Sequence, residues 1–261
     1  MDAAAEARPL NVGNYCVLFL DLLGQKRLME GHGFLPRTQA EVEEVFRTTL
    51  RSVTKLHEYI DRFLGNEVQA GPITVQRWSD GVMVFVPIGG PTGNRACEAI
   101  FSVLSYASAM LLFGLAAQAP MRAGLDISWG VELQPRELYG PAVANAYRLE
   151  SVVAQYPRVA VGGRVEEYLS ERVQNASDDL PGRIERAFAE RCLAKLFVDE
   201  DGNRALDFLR DLPDMPANAD GNNLITLARQ FVEVQIAEHA AANDEKLLGR
   251  YRWLERYISA R

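Results

Sequence analysis

A continuous apolar run, Tyr15 to Leu20, constrains the fold of this chain more than any other feature. The run ends at Asp21, and Gly24 follows three residues later. A short apolar run with a polar stop and a glycine is typical of a strand that is buried on both faces. A carboxylate at the end of such a strand is costly unless it is paired or bound to a cation. Asp21 is therefore the first candidate for a functional residue.

Strand and helix patterns mix along the rest of the chain without strict alternation. Thr38 and Glu41 have the spacing of a capping box and open a helical pattern that continues to about Leu64. Further strand patterns cover 73–78, 82–86, 122–131, 159–161, 196–198 and 205–209, and further helical patterns cover about 94–116, 140–150, 163–172 and 222–261. This mixture predicts an α+β fold, with a central, mostly antiparallel sheet flanked by helices.

We expect the chain to divide into three segments. A short polar tail covers residues 1–12, a main domain covers 13–212, and a helical extension covers 213–261. The polar, proline-bounded stretch from Pro213 to Gly221 marks the boundary between the last two.

Composition narrows the class of protein. The 261 residues have a formal net charge of −7, which argues against a nucleic-acid partner because non-specific binding needs surplus Lys and Arg. Cys16, Cys97 and Cys192 form no CxxC pair, so we expect no zinc site and a reducing compartment. The start of the sequence lacks a signal-peptide pattern, and the most apolar stretch, Ala107 to Ala119, is too short to span a bilayer. We expect a cytoplasmic protein without a membrane partner.

A second carboxylate lies in a turn signal. Ser79, Asp80 and Gly81 separate two β-rich runs, and Asp-Gly between such runs predicts a hairpin. If this hairpin lies beside the first strand, Asp80 and Asp21 project from one edge of the sheet. Two hard oxygen donors there suit Mg²⁺ or Mn²⁺ ions that hold a triphosphate. In the plainer alternative, Asp21 caps a turn and Asp80 is simply the residue that the hairpin favours.

The acidic turn from Asp199 to Asn203 suggests a calcium-binding loop at first sight. Its spacing fails the pattern of a calcium-binding EF-hand loop, because Arg204 replaces the glycine at position six and Arg210 replaces the glutamate at position twelve. We expect a solvated turn.

Four motifs together resemble those of one enzyme family. They are Phe19–Gly24 (FLDLLG), Ser79–Met83 (SDGVM), Arg122–Gly130 (RAGLDISWG) and Glu137–Glu150 (ELYGPAVANAYRLE). Their order and rough spacing are similar to those of the class III nucleotidyl cyclases, over about residues 14 to 175. The resemblance implies a class III adenylate/guanylate cyclase-like catalytic domain.

The resemblance also implies roles for individual residues. Asp21, Asp80 and the backbone carbonyl of Leu22 match the ligands of two divalent ions, Mn²⁺ or Mg²⁺. The backbone amides from Leu22 through Leu23, Gly24, Gln25 and Lys26 match the segment that lies along the β- and γ-phosphates. Arg148 matches the arginine that stabilises the transition state. The family further implies a head-to-tail homodimer whose active sites lie at the interface.

Three positions depart from the family pattern. Ala144 occupies the position of the ribose-orienting Asn, with Asn145 one residue later, so the catalytic role of Asn145 is an open question. Gln76, next to Arg77, corresponds to the purine-selecting Lys, and Glu137 corresponds to the purine-selecting Asp.

These departures favour a one-ring base. A carboxylate accepts a hydrogen bond from uracil N3–H or cytosine N4–H, and Gln76 or Arg77 can donate to a carbonyl oxygen. The chain therefore resembles the pyrimidine cyclases of the bacterial Pycsar anti-phage system, which make cyclic UMP or cyclic CMP for a separate effector that binds the cyclic nucleotide. We predict that UTP is the favoured substrate. A cytidylate cyclase, an ordinary adenylate cyclase, a catalytically dead nucleotide-sensing module and a metal-dependent hydrolase or polymerase-like domain remain alternatives.

Overall fold

The computed structural model describes residues 11–25, 37–64, 73–78, 80–89, 95–134, 136–210 and 219–260. The strands of this part of the chain are β1 (Asn11–Leu22), β2 (Thr74–Arg77), β3 (Gly81–Pro87), β4 (Met121–Gln134), β5 (Glu137–Tyr139), β6 (Val159–Val161), β7 (Leu196–Val198) and β8 (Arg204–Leu206). They form one sheet in the order β2-β3-β1-β4-β6-β8-β7, with β5 paired to β4. Only β4 and β6 run parallel among the described pairs.

Helices cover both faces of this sheet. They are α1 (Gln39–Val45), α2 (Arg51–Leu64), α3 (Ala96–Ala116), α4 (Pro141–Arg148), α5 (Gly163–Asn175), α6 (Leu180–Ala194), α7 (Ala219–Ala241) and α8 (Glu245–Ser259). Two π-helical segments are also present, π1 (Phe46–Leu50) between α1 and α2, and π2 (Leu149–Val153) directly after α4. The predicted α+β fold is confirmed.

The apolar run at the start of the chain forms the centre of the sheet, as predicted. β1 pairs with β3 on one side and with β4 on the other. Successive side chains of a strand point to opposite faces. Cys16, Leu18 and Leu20 accordingly pack into the large core beneath α3, whereas Val17 and Phe19 pack into a smaller core beneath α4. We call these two sides of the sheet the α3 face and the α4 face.

Two other local predictions are confirmed. Thr38 and Glu41 form a capping box in which each side chain accepts a hydrogen bond from the other residue's backbone amide. The helical pattern that follows is interrupted by π1 rather than continuous. The predicted hairpin is present as the antiparallel pair β2 and β3.

The helices on the α3 face are packed mainly through apolar side chains. α3 is long and apolar enough to cross a membrane by length and composition, and 67% of its most apolar window is buried inside the protein. Buried residues of α7 and α8, including Val232 and Leu254, belong to the same core as β1. The segment 211–218, which includes most of the predicted domain boundary, lies outside the described residues.

Candidate active site

The two candidate metal-binding carboxylates lie at the same edge of the sheet. Asp21 is the second-last residue of β1 and is paired with Gly81, the first residue of β3, so Asp80 lies next to it. The amide of Leu22 donates to the carbonyl of Asp80 at 3.1 Å, which joins the end of β1 to the hairpin. A Cβ atom at Gly81 would lie 2.9 Å from the Leu20 carbonyl oxygen, so a glycine is needed for this approach.

The two carboxylates interact electrostatically. Burial raises the pKa of Asp21 to about 6, and the negative charge of Asp80 adds to this effect. Arg122, which faces Asp21 from the neighbouring strand β4, lowers the same pKa in opposition. A cation close to both carboxylates would therefore stabilise the ionised form of Asp21.

A buried ion pair completes the charged cluster. Nη2 of Arg122 lies 3.6 Å from Oδ2 of Asp21, and its Nε lies 2.5 Å from Oε1 of Glu150. Glu150 is 1% exposed, and burial raises its pKa to about 7 although Arg122 lowers it. Arg122 thus lies between the carboxylates of Asp21 and Glu150 at this edge of the sheet.

The path of α4 over the sheet depends on a glycine of β4. A Cβ atom at Gly124 would lie 2.1 Å from the carbonyl oxygen of Ala146 and 2.4 Å from the amide nitrogen of Glu150. Only a residue without a side chain permits this contact. The glycine of the RAGLDISWG motif therefore allows α4 and π2 to lie directly on the sheet beside Asp21.

Arg148 and Asn145 lie at the end of α4, over a buried aspartate. Asp126 of β4 is 6% exposed, and its Oδ1 atom has no hydrogen-bond partner among the described residues. Burial raises the pKa of Asp126, while Arg164, Arg148 and Asn145 all lower it from nearby. The structure thus brings the two predicted catalytic residues together around Asp126, on the same face of the sheet as Asp21.

The predicted phosphate-binding segment begins with a turn after β1. Leu23 is half-buried and its amide donates to the carbonyl of Pro120 at 2.9 Å. Gly24 is exposed with φ of +88°, a left-handed conformation that favours glycine. Gln25 is buried, and Lys26 lies outside the described residues. The role of these four amides stays a prediction.

The candidate base-binding residues are separated in the structure. Gln76 pairs with Met83 and so lies on the α4 face, with its Oε1 atom buried and without a hydrogen-bond partner in the described part of the chain. Arg77 is on the α3 face, where it forms an ion pair with Asp61 of α2. Glu137 is exposed at the start of β5. Of the two predicted donors, only Gln76 shares the face of Arg148.

Sequence reasoning missed three charged residues of the site, namely Arg122, Asp126 and Glu150. All three belong to the four motifs, and Arg122 and Asp126 are charged residues within otherwise apolar stretches. That signal marks buried charge. Among the described residues no group of three or more His, Cys, Asp or Glu side chains is arranged to hold a metal ion. A metal at Asp21 and Asp80 would therefore need further oxygens from the backbone, the substrate or water.

Comparison with solved structures finds cyclase domains. The catalytic core of a rhodopsin-guanylyl cyclase with converted specificity, in complex with ATPαS, is 15% identical, with a TM-score of 0.44 over 62% of this chain and 83% of that one. A bacterial light-regulated adenylyl cyclase is 17% identical, with a TM-score of 0.41 over 85% of this chain and 99% of that one. A class III adenylyl cyclase-like ATP-binding protein from Pseudomonas aeruginosa is 14% identical, with a TM-score of 0.43 over 79% of this chain and 45% of that one.

No family model and no curated protein sequence matches the chain.

Proposed function

We propose that this protein is a divalent-metal-dependent nucleotidyl cyclase that converts UTP to 3′,5′-cyclic UMP and pyrophosphate. The observation that supports it best is the charged cluster at the end of β1. Asp21 and Asp80 lie together there, and Arg122 and Glu150 complete the cluster on the face over which α4 brings Arg148.

The residues present suit a divalent ion. Asp21 and Asp80, with the carbonyl of Leu22, offer hard oxygen donors of the kind that Mg²⁺ and Mn²⁺ prefer. Burial and the charge of Asp80 both disfavour the ionised form of Asp21, and a bound cation would stabilise it. When bound, two such ions would neutralise the triphosphate and lower the pKa of the ribose 3′-hydroxyl.

Arg148 would have a separate role, in stabilising the transition state. It is exposed at the end of α4, so its guanidinium is available to the charge that builds on the α-phosphate as pyrophosphate leaves. Asp126 lies near Arg148, and Glu150 pairs with Arg122. Each of these buried carboxylates would hold an arginine in position by charge. The amides that follow Leu23 would lie along the leaving phosphates, since the Leu23 amide itself donates to the carbonyl of Pro120.

The site is proposed to be shared between two subunits. The positive charge that acts on Asp21 is Arg122 of the same chain, whereas the charge of Arg148 acts on Asp126. Large apolar side chains next to Arg148 are exposed, with Tyr147 at 54% and Val152 at 59%. Together these side chains offer an apolar surface that a second subunit would bury. A head-to-tail homodimer would cover it and bring Arg148 to the carboxylates of the partner.

Gln76 and Glu137 motivate the choice of UTP. Gln76 lies on the face of Arg148, and its side-chain NH2 group can donate to a carbonyl oxygen of the base. Glu137, exposed at the start of β5, can accept from the N3–H group of uracil. Arg77 is engaged by Asp61 on the other face, so we assign the donor role to Gln76.

The biological setting follows from the resemblance rather than from the fold. We infer a cytoplasmic enzyme of the Pycsar type, which makes a second messenger during phage infection. Its product would act on a separate cyclic-nucleotide-binding effector that the cyclase does not contact.

The decisive experiment is incubation of the purified protein with each of the four nucleoside triphosphates and Mn²⁺, with identification of products by mass. We expect cyclic UMP from UTP and none from the Asp21→Ala and Asp80→Ala proteins. Cyclic CMP or cyclic AMP as the main product would correct the base assignment only. A linear product would indicate a hydrolase or polymerase-like domain, and binding without any product would indicate a nucleotide-sensing module.

A further inference from the structure

The acidic turn between β7 and β8 is exposed from Glu200 to Asn203, as expected from the sequence, but its first residue, Asp199, is buried. Asp199 is 7% exposed and Arg158, which pairs with it, is 1% exposed. Charged groups reach such burial only when they are paired and hydrogen-bonded. The side chain of Asp199 is therefore part of the interior, and its partners show which elements it connects.

Asp199 joins the C-terminal helix to the sheet. Its Oδ1 atom accepts from the indole N–H of Trp253 in α8 at 2.8 Å, and its Oδ2 atom accepts from the hydroxyl of Tyr156 at 2.8 Å. The rings of Tyr156 and Trp253 are packed with centroids 4.5 Å apart. The guanidinium of Arg158 lies over the Tyr156 ring at 4.2 Å and pairs with both Asp199 and Asp201.

Arg158 in turn contacts the backbone of the active site. Its Nη2 atom donates to the carbonyl of Val153, the last residue of π2, at 2.7 Å. Its own carbonyl accepts from the amide of Ala123 at 2.9 Å, between Arg122 and Gly124. One buried arginine thus joins the end of π2 to β4.

The segment that Arg158 contacts belongs to the candidate active site. π2 begins directly after Arg148 and contains Glu150, the partner of Arg122. π-helical turns are rare and are frequent at functional sites, because their wider turns place side chains where an α-helix would not. This turn is closed by a hydrogen bond from the amide of Ala154 to the carbonyl of Leu149 at 2.8 Å.

We propose that α8 is a latch on the active site, acting through Trp253, Asp199 and Arg158 to hold π2 closed and so to position Arg148 and Glu150. The three are positioning residues, since none faces the substrate. The C-terminal helices are then part of the catalytic scaffold, and release of α8 from the turn loosens π2. The effect on catalysis rests on the proposed function, whereas the structural coupling does not.

Trp253→Phe tests the latch. Phenylalanine keeps a ring against Tyr156 but lacks the N–H group that donates to Asp199. Tyr257→Phe is a matched control, because Tyr257 lies one turn further along α8 and donates at 2.7 Å to another buried aspartate, Asp207. The measurement is amide hydrogen exchange of the peptide 148–155, relative to a core peptide of α3 that corrects for global stability.

We expect exchange in 148–155 to rise about tenfold in Trp253→Phe and to stay near the wild-type rate in Tyr257→Phe. With UTP and Mn²⁺, kcat of the Trp253→Phe protein should fall by a similar factor with KM unchanged. If this variant does not fold, Asp199→Asn, which keeps an acceptor for Trp253 but loses the charge that holds Arg158, should loosen the same peptide.

Two results would overturn the latch. One is wild-type exchange in 148–155 in a folded Trp253→Phe or Asp199→Asn protein. The other is equal loosening by Trp253→Phe and Tyr257→Phe. If the wild-type protein has no cyclase activity but the variants show the expected exchange pattern, the proposed function is refuted and the latch is not.

Discussion

Replacing Gly124 by alanine is expected to separate α4 from the sheet. The added Cβ atom would lie 2.1 Å from the Ala146 carbonyl oxygen, 2.4 Å from the Glu150 amide nitrogen and 2.7 Å from the Leu149 Cβ atom. Two of these three atoms are backbone, so no rotation of a side chain relieves the clash. The helix must move away by about 1 Å before ordinary van der Waals contact is restored.

Overpacking of this kind costs about 1–3 kcal/mol of unfolding free energy, or more where backbone must move. For a chain of this size we expect a melting temperature lower by about 3–10 °C. Catalysis should fall further than stability, because Arg148 and Glu150 lie on the displaced segment. A misplacement of about 1 Å can cost about a hundredfold in rate. Urea unfolding and kcat, measured where both proteins are folded, separate the two effects.

Gly249→Ala is the matched control. Gly249 lies within α8, and a Cβ atom there would meet nothing within 4 Å. Alanine at this position should raise stability by about 0.5–1 kcal/mol through helix propensity, with unchanged kcat. A Gly124→Ala protein within about 0.5 kcal/mol of wild type and with full activity would refute the close packing of α4 on β4.

Three further predictions test the site. Asp80→Ala and Arg148→Ala proteins, each inactive alone, should regain part of the activity when mixed under conditions of subunit exchange, and no recovery would indicate sites within single chains. The pKa of Glu150, about 7 against an ordinary 4.5, means that its contribution to stability is present at acidic pH and is lost as the pH rises from about 4.5 to about 7. The free energy of urea unfolding of the Glu150→Gln protein should not show this part of the fall with rising pH. If its pH profile is the same as that of the wild type, the burial of an ionisable Glu150 is refuted. Glu137→Gln should reduce turnover of UTP more than binding of the triphosphate, whereas unchanged selectivity among the four nucleotides would remove Glu137 from the base site.

Much of the framework could be predicted because it depends on local pattern. The apolar run of β1, the Asp-Gly hairpin and the capping box at Thr38 are each specified by neighbouring residues. Alternation along a strand also places Gln76 and Arg77 on opposite faces, so adjacent residues of β2 cannot both reach one base. The structure shows that Gln76 is the one on the face of Arg148.

The partners of the charged residues could not be predicted in the same way. Arg122 faces Asp21 only because β1 and β4 pair in a particular register, and a shift of one residue would turn it to the other face. The burial of Asp199 depends on α8, whose Trp253 lies 54 residues later in the chain. Nothing near Asp199 in the sequence distinguishes it from an exposed turn residue.

The sequence by itself determined which segments become strands and helices and which carboxylates end a buried strand, since periodicity and turn chemistry act over a few residues. The tertiary structure alone decided which charges meet. Arg122 lies between Asp21 and Glu150, and Arg158 lies between the C-terminal helix and π2. Such pairings depend on strand register and on helices that pack across the sheet. Each pairing is stable because a buried charge without a partner would cost free energy.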